Sequence, residues 1–551
     1  MKPAFRAFAY AVIVATLATL GGPALVTIPV QAQNPFTPAE DTVVLTQNSD
    51  YFSNLDLRQS IPEVSILEVL DQICEKLVIL DPKMEIRDQL AEKWEANADS
   101  SEWTFHLKKG VTFSDGDPFN AAAVKKHFDW IMGGDPPSAA ADSLRRDIKS
   151  VEVVDDLTVK FVMQGARPFF LMNLAESPAS FIYSPKTIDM KDEDRGRNIS
   201  GTGPFKIQTW NGMLDVTLEA REDYNWASSY FEMNGPSKIK TIRVRGATDD
   251  ESRLASLETG ESHFITYVPD SQVARIKADP NFSVISVMVP GMPQMNYMNV
   301  TIPPTNDIRV RQAIIYATDM DEINQVVYFG NVKPAYGPIG QANKEYNPEV
   351  AKLYKFDLEK AKELLKEAGW WDDGKDGIAE SHNVPGVADG TPAEVRIVRS
   401  PAWQQYSDVW QKQLTMAGFK AAIIMLAGDG PDYYDCKNQL PANGDVFVDS
   451  VQGASRDWGH DQCRTGLDYG CACDTELQKP IDEALDRAAN AQTWDERTKA
   501  LGDFQMYVMQ QALMAPIFEL FWHGGSISSL KNIKTDSTGF YYFFYPAYWE
   551  R

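Results

Sequence analysis

The sequence predicts a mixed protein of the α/β or α+β class on three observations. Strand and helix signals alternate from end to end, no repeat or low-complexity tract breaks the alternation, and residues 395–426 read as a β-α-β unit. Thr42 to Thr46 is a short β-rich run after a Pro-rich start. The apolar spacing Ile66, Leu67, Val69, Leu70, Ile73, Leu77 predicts a helix from Ser65 to Leu80, closed by Asp81-Pro82. Trp103 to Leu107 alternates apolar and polar residues before Lys108-Lys109-Gly110, and Val111 to Phe113 resumes the alternation, which predicts a hairpin. Asn120 is placed to cap a helix over Ala121 to Met132 that presents Val124, Phe128 and Ile131 on one face. Val151 to Val154 and Thr158 to Met163 flank Asp155-Asp156 as two strands. A strand from Gly203 pairs with Val216 to Ala220 across Asn211-Gly212, a strong hairpin turn. Asp307 to Phe329 is one helix or two short ones, and Asp357 caps a helix that Gly369 stops. Residues 370–392, rich in Gly, Asp and Asn, read as a long exposed loop. Val395 to Arg399, Tyr406 to Met416 and Lys420 to Leu426 then form the β-α-β unit.

The first 32 residues have the three parts of a secretory signal. A basic segment holds Lys2 and Arg6, an apolar run spans Ala7 to about Leu20, and Val30-Gln31-Ala32 offers the small residues a signal peptidase needs. The expectation is cleavage after Ala32, with no following cysteine to carry a lipid. The remaining chain, at about 150 residues per domain, predicts two to four domains. A formal charge of -24 disfavours nucleic acid, whose phosphates demand a basic face, and promotes solubility. Cys436, Cys463, Cys471 and Cys473 cluster as disulfide candidates, with three possible pairings. A metal site built from His460 and the last three of these is the alternative, although Cys-x-Cys is tighter than zinc spacing. Cys74 reads as a buried free thiol.

No catalytic motif is present: the sequence holds no His-Glu-x-x-His, no Gly-x-Ser-x-Gly and no Walker loop. Gly201-Thr202-Gly203 lacks the lysine and serine of a phosphate cradle. Six histidines without a close pair make an imidazole cage for nickel or haem improbable, and no metal ligand or cofactor is assigned. A secreted hydrolase using two of the many carboxylates is the contrasting reading.

Four stretches, in this order, resemble the extracellular solute-binding protein family 5, the oligopeptide-, dipeptide- and nickel-binding components of ABC transporters. They are LAEKWEANADSSEWTFHLKKGVTFSDGDPFNAAAVKKHFDWI (90–131), GTGPFKIQTW (201–210) with REDYNW (221–226), DIRVRQAIIYATDMDEI (307–323) with GPI (337–339), and FDLEKAKELLKEAGW (356–370). Each also has a structural reading: Trp94, Phe105, Leu107 and Phe113 as the core of one sheet, Gly116 and Gly203 as turn glycines.

The resemblance implies a two-lobed periplasmic binding protein of the Venus-flytrap, cluster C type, with an extra domain inserted in the N-lobe. Domain I would take 33–82, 200–293 and 518–551, domain II 83–199, and the C-lobe, domain III, 294–517. The aromatic tail Phe540 to Tyr545 would pack on domain I, a membrane-contacting belt being the alternative. It further implies a monomer that is not an enzyme and hands a small solute to membrane permease subunits. Peptides are the first candidates, and an oligosaccharide or opine is the alternative. Ligand-contacting positions by this resemblance are Ser60, Pro62 and Glu63 before the first helix, which are also a plain helix entry. In the C-lobe, Arg399 and Trp403 open a helix suited to an anion. Asp457 and Trp458 lie in VDSVQGASRDWGHD (448–461), where peptide binders carry an aspartate for the α-amino group; aligned without gaps, that position falls near Ala454.

Overall fold

The computed structural model describes residues 41–47, 54–59, 64–134, 138–211, 215–399, 404–425 and 475–550. Buried apolar side chains in it form two separate cores. The first gathers residues from Val43 to Phe282 and again from Ile527 to Ala547, and the second runs from Met292 to Phe518. The chain therefore crosses between lobes twice, after the strand Phe282–Met288 and between the strands Met514–Glu519 and Phe521–Ile527.

The first lobe is built on a seven-stranded sheet in the order 282–288, 521–527, 264–265, 42–47, 241–246, 215–220, 205–211. Thr42–Gln47 is its axis, pairing in parallel with Thr241–Gly246 on one side and Phe264–Ile265 on the other. All other pairs are antiparallel. A second, four-stranded sheet lies in the order 91–96, 102–107, 158–163, 148–155 and packs against the helix Ala121–Met132. Its core is continuous with that of the seven-stranded sheet.

The expected cap holds: Asn120 Oδ1 accepts from the Ala123 N–H at 3.0 Å, leaving Val124, Phe128 and Ile131 buried. The hairpins 148–155/158–163 and 205–211/215–220 form as expected, and Asp307 to Phe329 resolves into two helices, Ile308–Tyr316 and Met320–Val327.

Three expectations need correction. The first helix is shorter than its apolar spacing predicts, Val64–Ile73, and Val78–Leu80 is a strand paired with Ile86–Asp88. A continuous apolar run fits either element, and β-branched Val78 and Ile79 tip it to strand. The hairpin partner of Glu102–Leu107 is not 111–113 but Ala91–Ala96 and Thr158–Met163. Residues 111–119 instead form a turn in which Gly116 sits at φ +87°, reserved for glycine by sterics, and Phe113 N–H donates to the Asp117 carbonyl. Residues 370–392 carry a small ladder, Trp370–Trp371 with Glu380–Ser381.

The second lobe contains the β-α-β unit as read: parallel strands Glu394–Arg399 and Lys420–Met425 joined through the helix Gln404–Met416. Asp357 caps Leu358–Glu367, and Gly369 follows at φ +93°. The tail packs into the first core, where Tyr542 lies 4.5 Å from the Phe264 ring and Tyr545 5.0 Å from Tyr224. Among the described residues no helix is long and apolar enough to cross a membrane.

Candidate functional site

In open sheets with parallel strands, ligands bind beyond the carboxyl ends of those strands. In the first lobe that edge follows Gln47 and Ile265. Thr42–Gln47 leads through 48–63, the stretch holding Ser60, Pro62 and Glu63, into the helix Val64–Ile73. Phe264–Ile265 leads into Tyr267, whose ring lies 5.1 Å from Trp522. Trp522 in turn lies 4.9 Å from Phe540, beside Tyr541. All four rings are only partly buried, so they give an apolar platform at the carboxyl edge. The Trp522 Nε1–H is shielded from solvent and has no hydrogen-bond partner among the described residues.

Beside the platform, Tyr267 donates to Asp270 Oδ2 at 2.9 Å, and burial pushes its phenol well above the usual range. His523 Nδ1 meets Ser286 Oγ at 2.9 Å, while its Nε2 is 3.5 Å from Asp270 Oδ1. The Asp270 carbonyl accepts from Asn331 Nδ2 of the second lobe at 2.8 Å. One residue therefore links the platform to the opposite lobe.

The hinge is a polar knot. Asn343 Oδ1 accepts from Gly291 N–H at 3.1 Å, and its Nδ2 donates to the carbonyls of Gly291 and Gly340. Glu519, fully buried one residue before the second crossing, accepts from Gln341 N–H and Nε2 through Oε1, while Oε2 has no partner among the described residues. Burial pushes this carboxyl up to about 7.

The motifs of the first lobe have packing roles. A Cβ on Gly201 would sit 2.2 Å from the Ile73 carbonyl oxygen, and one on Gly203 2.6 Å from the Ile73 carbonyl carbon. Gly203 thus serves close approach to the helix end rather than turn geometry. Tyr224 and Trp226 of the same motif pair donate to Glu75 at 2.7 and 3.0 Å. Cys74 is buried and free, its thiol raised by burial.

Of the sequence-predicted positions, Arg399 ends the strand Glu394–Arg399 opposite Met425, at the carboxyl edge of the second lobe's parallel pair. Ser60, Pro62, Glu63, Trp403, Asp457 and Trp458 lie outside the described residues, as do Cys436, Cys463, Cys471, Cys473 and the signal segment 1–32. Tyr267, Trp522, Phe540 and Tyr541 escaped the sequence reading. The aromatic tail reads as one packing unit, yet Tyr542 to Tyr545 are buried and Phe540 and Tyr541 are not.

The model of the bacterial extracellular solute-binding proteins, family 5 (middle), matches residues 85–455. The chain belongs to this family. A glutathione-binding protein, GsiB of Salmonella choleraesuis (strain SC-B67), is 30% identical over 501 residues, 88% of this chain and 90% of its own. By structure, the chain is similar to NikA from Brucella suis in complex with Fe(III)-EDTA, at a TM-score of 0.75 and 19% identity, covering 92% of this chain and all of that one. It is also similar to DppA from Helicobacter pylori in complex with the peptide STSA, at 0.69 and 22%, covering 93% and 98%. At these identities the two structures establish the fold, a two-lobed periplasmic binding protein, matching the two cores and double crossing of this family member.

Proposed function

We propose that this family 5 protein is the periplasmic substrate-binding component of an ABC importer and captures a short peptide-like solute, with glutathione as the first candidate. The observation that carries this is the identity of 30% across 88% of the chain to a glutathione-binding protein. The solute would lie between the carboxyl edges of the two parallel strand sets. Its apolar part would rest on Tyr267, Trp522 and Phe540, Trp522 Nε1–H would donate to it, and Arg399 would attract a carboxylate. Ser60, Pro62, Glu63, Trp403, Asp457 and Trp458 remain the proposed contacts from the connecting segments. Ala454 at the aligned position, with the nearest following aspartate at Asp457, fits a solute whose amino group is not placed as in a linear peptide.

A two-lobed binder touches its solute with both lobes only when closed, so the solute shifts the population toward the closed form that the permease reads. No bond is made or broken in that cycle. Export with cleavage after Ala32, the domain II insertion over 83–199, disulfides among the four clustered cysteines and a monomeric state belong to the same reading.

Titration calorimetry with glutathione, a linear tripeptide and an opine, followed by mass spectrometry of the recovered solute, tests it. The expected result is 1:1 binding strongest for glutathione, with the solute returned intact. Preference for the opine would transfer the role to a non-peptide solute, and cleavage of the solute would overturn the binding role itself.

A further inference from the structure

We propose that Phe169 is a clip that fastens the first lobe to the second and sets the closed population independently of solute. Phe169 and Phe170 are adjacent but serve different lobes. Phe170 is buried in the first core against Phe161, 5.6 Å away, and Trp103, 6.2 Å away. Phe169 projects to the second lobe, where its ring meets Trp494 edge-on at 5.0 Å and the Arg497 guanidinium at 4.7 Å. An aromatic ring between an indole and a guanidinium gains from both contacts.

Both halves are held by contacts within their own lobes. On the first lobe, Arg167 Nε donates to Asp147 Oδ1 at 2.8 Å, and the Arg167 carbonyl accepts from Trp103 Nε1 at 3.1 Å. On the second, Thr493 caps the helix Trp494–Gln510, and Arg497 Nε donates to Glu345 Oε1 at 3.1 Å with both side chains largely buried. Preorganised halves lose little rotamer freedom on joining, so most of the contact energy goes to closure. Trp494 is 39% exposed and lies outside its own lobe's core.

The clip also reaches the hinge. Lys344 lies 5.6 Å from the Trp494 ring, Glu345 holds Arg497, and Asn343 directly before them binds Gly291 at the first crossing. One segment, 340–345, therefore carries the clip socket and the hinge knot together.

The test needs no solute: small-angle scattering of the ligand-free full chain, wild type against Phe169→Ala and Trp494→Ala on opposite lobes. Each variant is expected to shift the closed-to-open ratio down by roughly tenfold and to raise the radius of gyration, with thermal midpoints unchanged. The double variant should go no further than Phe169→Ala, which already removes both the Trp494 and the Arg497 contacts. Arg497→Lys, which keeps the charge facing Glu345 but loses the flat guanidinium, should fall between. An unchanged radius in both single variants, or additive effects in the double one, would overturn the clip. With glutathione as probe, the same variants should bind severalfold more weakly, about fivefold if half of the ligand-free chain is closed, because apparent affinity follows the closed fraction. If wild type ignores glutathione, the solute assignment fails while the scattering still decides the clip.

Discussion

Two buried glutamates show how differently this molecule treats its lobe interior and its hinge. Glu75, at the end of the first helix, has its carboxylate oxygens met by Tyr224 Oη–H and Trp226 Nε1–H. Glu519, at the second crossing, has one oxygen met by Gln341 and the other by no described residue, and Trp522, three residues on, also carries a buried nitrogen without a partner among the described residues. A satisfied buried network fixes one arrangement, whereas unpaired buried groups raise the free energy of the arrangement they sit in. The node around Glu75 is structural, and the crossing is where the molecule can move.

That contrast can be broken from either side. The largest effect belongs to the structural node: Glu75→Ala strands the buried Tyr224 hydroxyl, leaves Trp226 Nε1 only the Thr202 carbonyl and opens a cavity, at a cost of roughly 3 kcal/mol in chemical denaturation. Gly203→Ala, which drives a Cβ into the Ile73 backbone, should cost about 2 kcal/mol. A loss under 0.5 kcal/mol in both would show that the node is not tightly packed.

At the hinge the sign reverses with pH. Glu519 keeps its proton up to about pH 7 when folded and releases it near its ordinary 4.5 when unfolded. Its contribution is fully present below about 4.5 and is lost as pH rises to about 7, roughly 3 kcal/mol across that window. Asp71, also pushed up to about 7, works in the same direction. Glu519→Gln should therefore flatten the decline in the thermal midpoint over that range and leave the variant more stable than wild type at pH 8. An unaltered slope would remove Glu519 from the hinge account. The smallest stability effect is expected for Trp522→Phe, under about 0.5 kcal/mol because no hydrogen bond to a described residue is lost. The same variant should weaken glutathione binding severalfold in calorimetry; equal affinity would dismiss the indole as a contact.

The fold was largely legible because its signals are local. Asn120 and Asp357 cap where their side chains predict, Asp155-Asp156 leads into the turn between two paired strands, and the β-α-β unit needs only period and length. What failed required knowledge of distant partners: 111–113 alternates like a strand, but Glu102–Leu107 finds its partners in Ala91–Ala96 and Thr158–Met163. The site was less legible for the same reason. Tyr267, Trp522 and Phe540 are far apart in sequence and converge only because Phe264–Ile265 and Phe521–Ile527 are paired strands over which the tail folds. Nothing in their local sequence separates them from the buried aromatic residues beside them. Glu519 likewise stands in an apolar run, and its isolation at a crossing between sheets appears only in three dimensions.

The central claim is that this two-lobed family member holds an intact small solute between the carboxyl edges of its lobes. Protein purified from its native host, denatured and examined by mass spectrometry, tests that most directly. The account predicts release of one intact peptide-like solute carrying free amino and carboxylate groups, close to one per chain. Release of the paired fragments of a cleaved solute would contradict it.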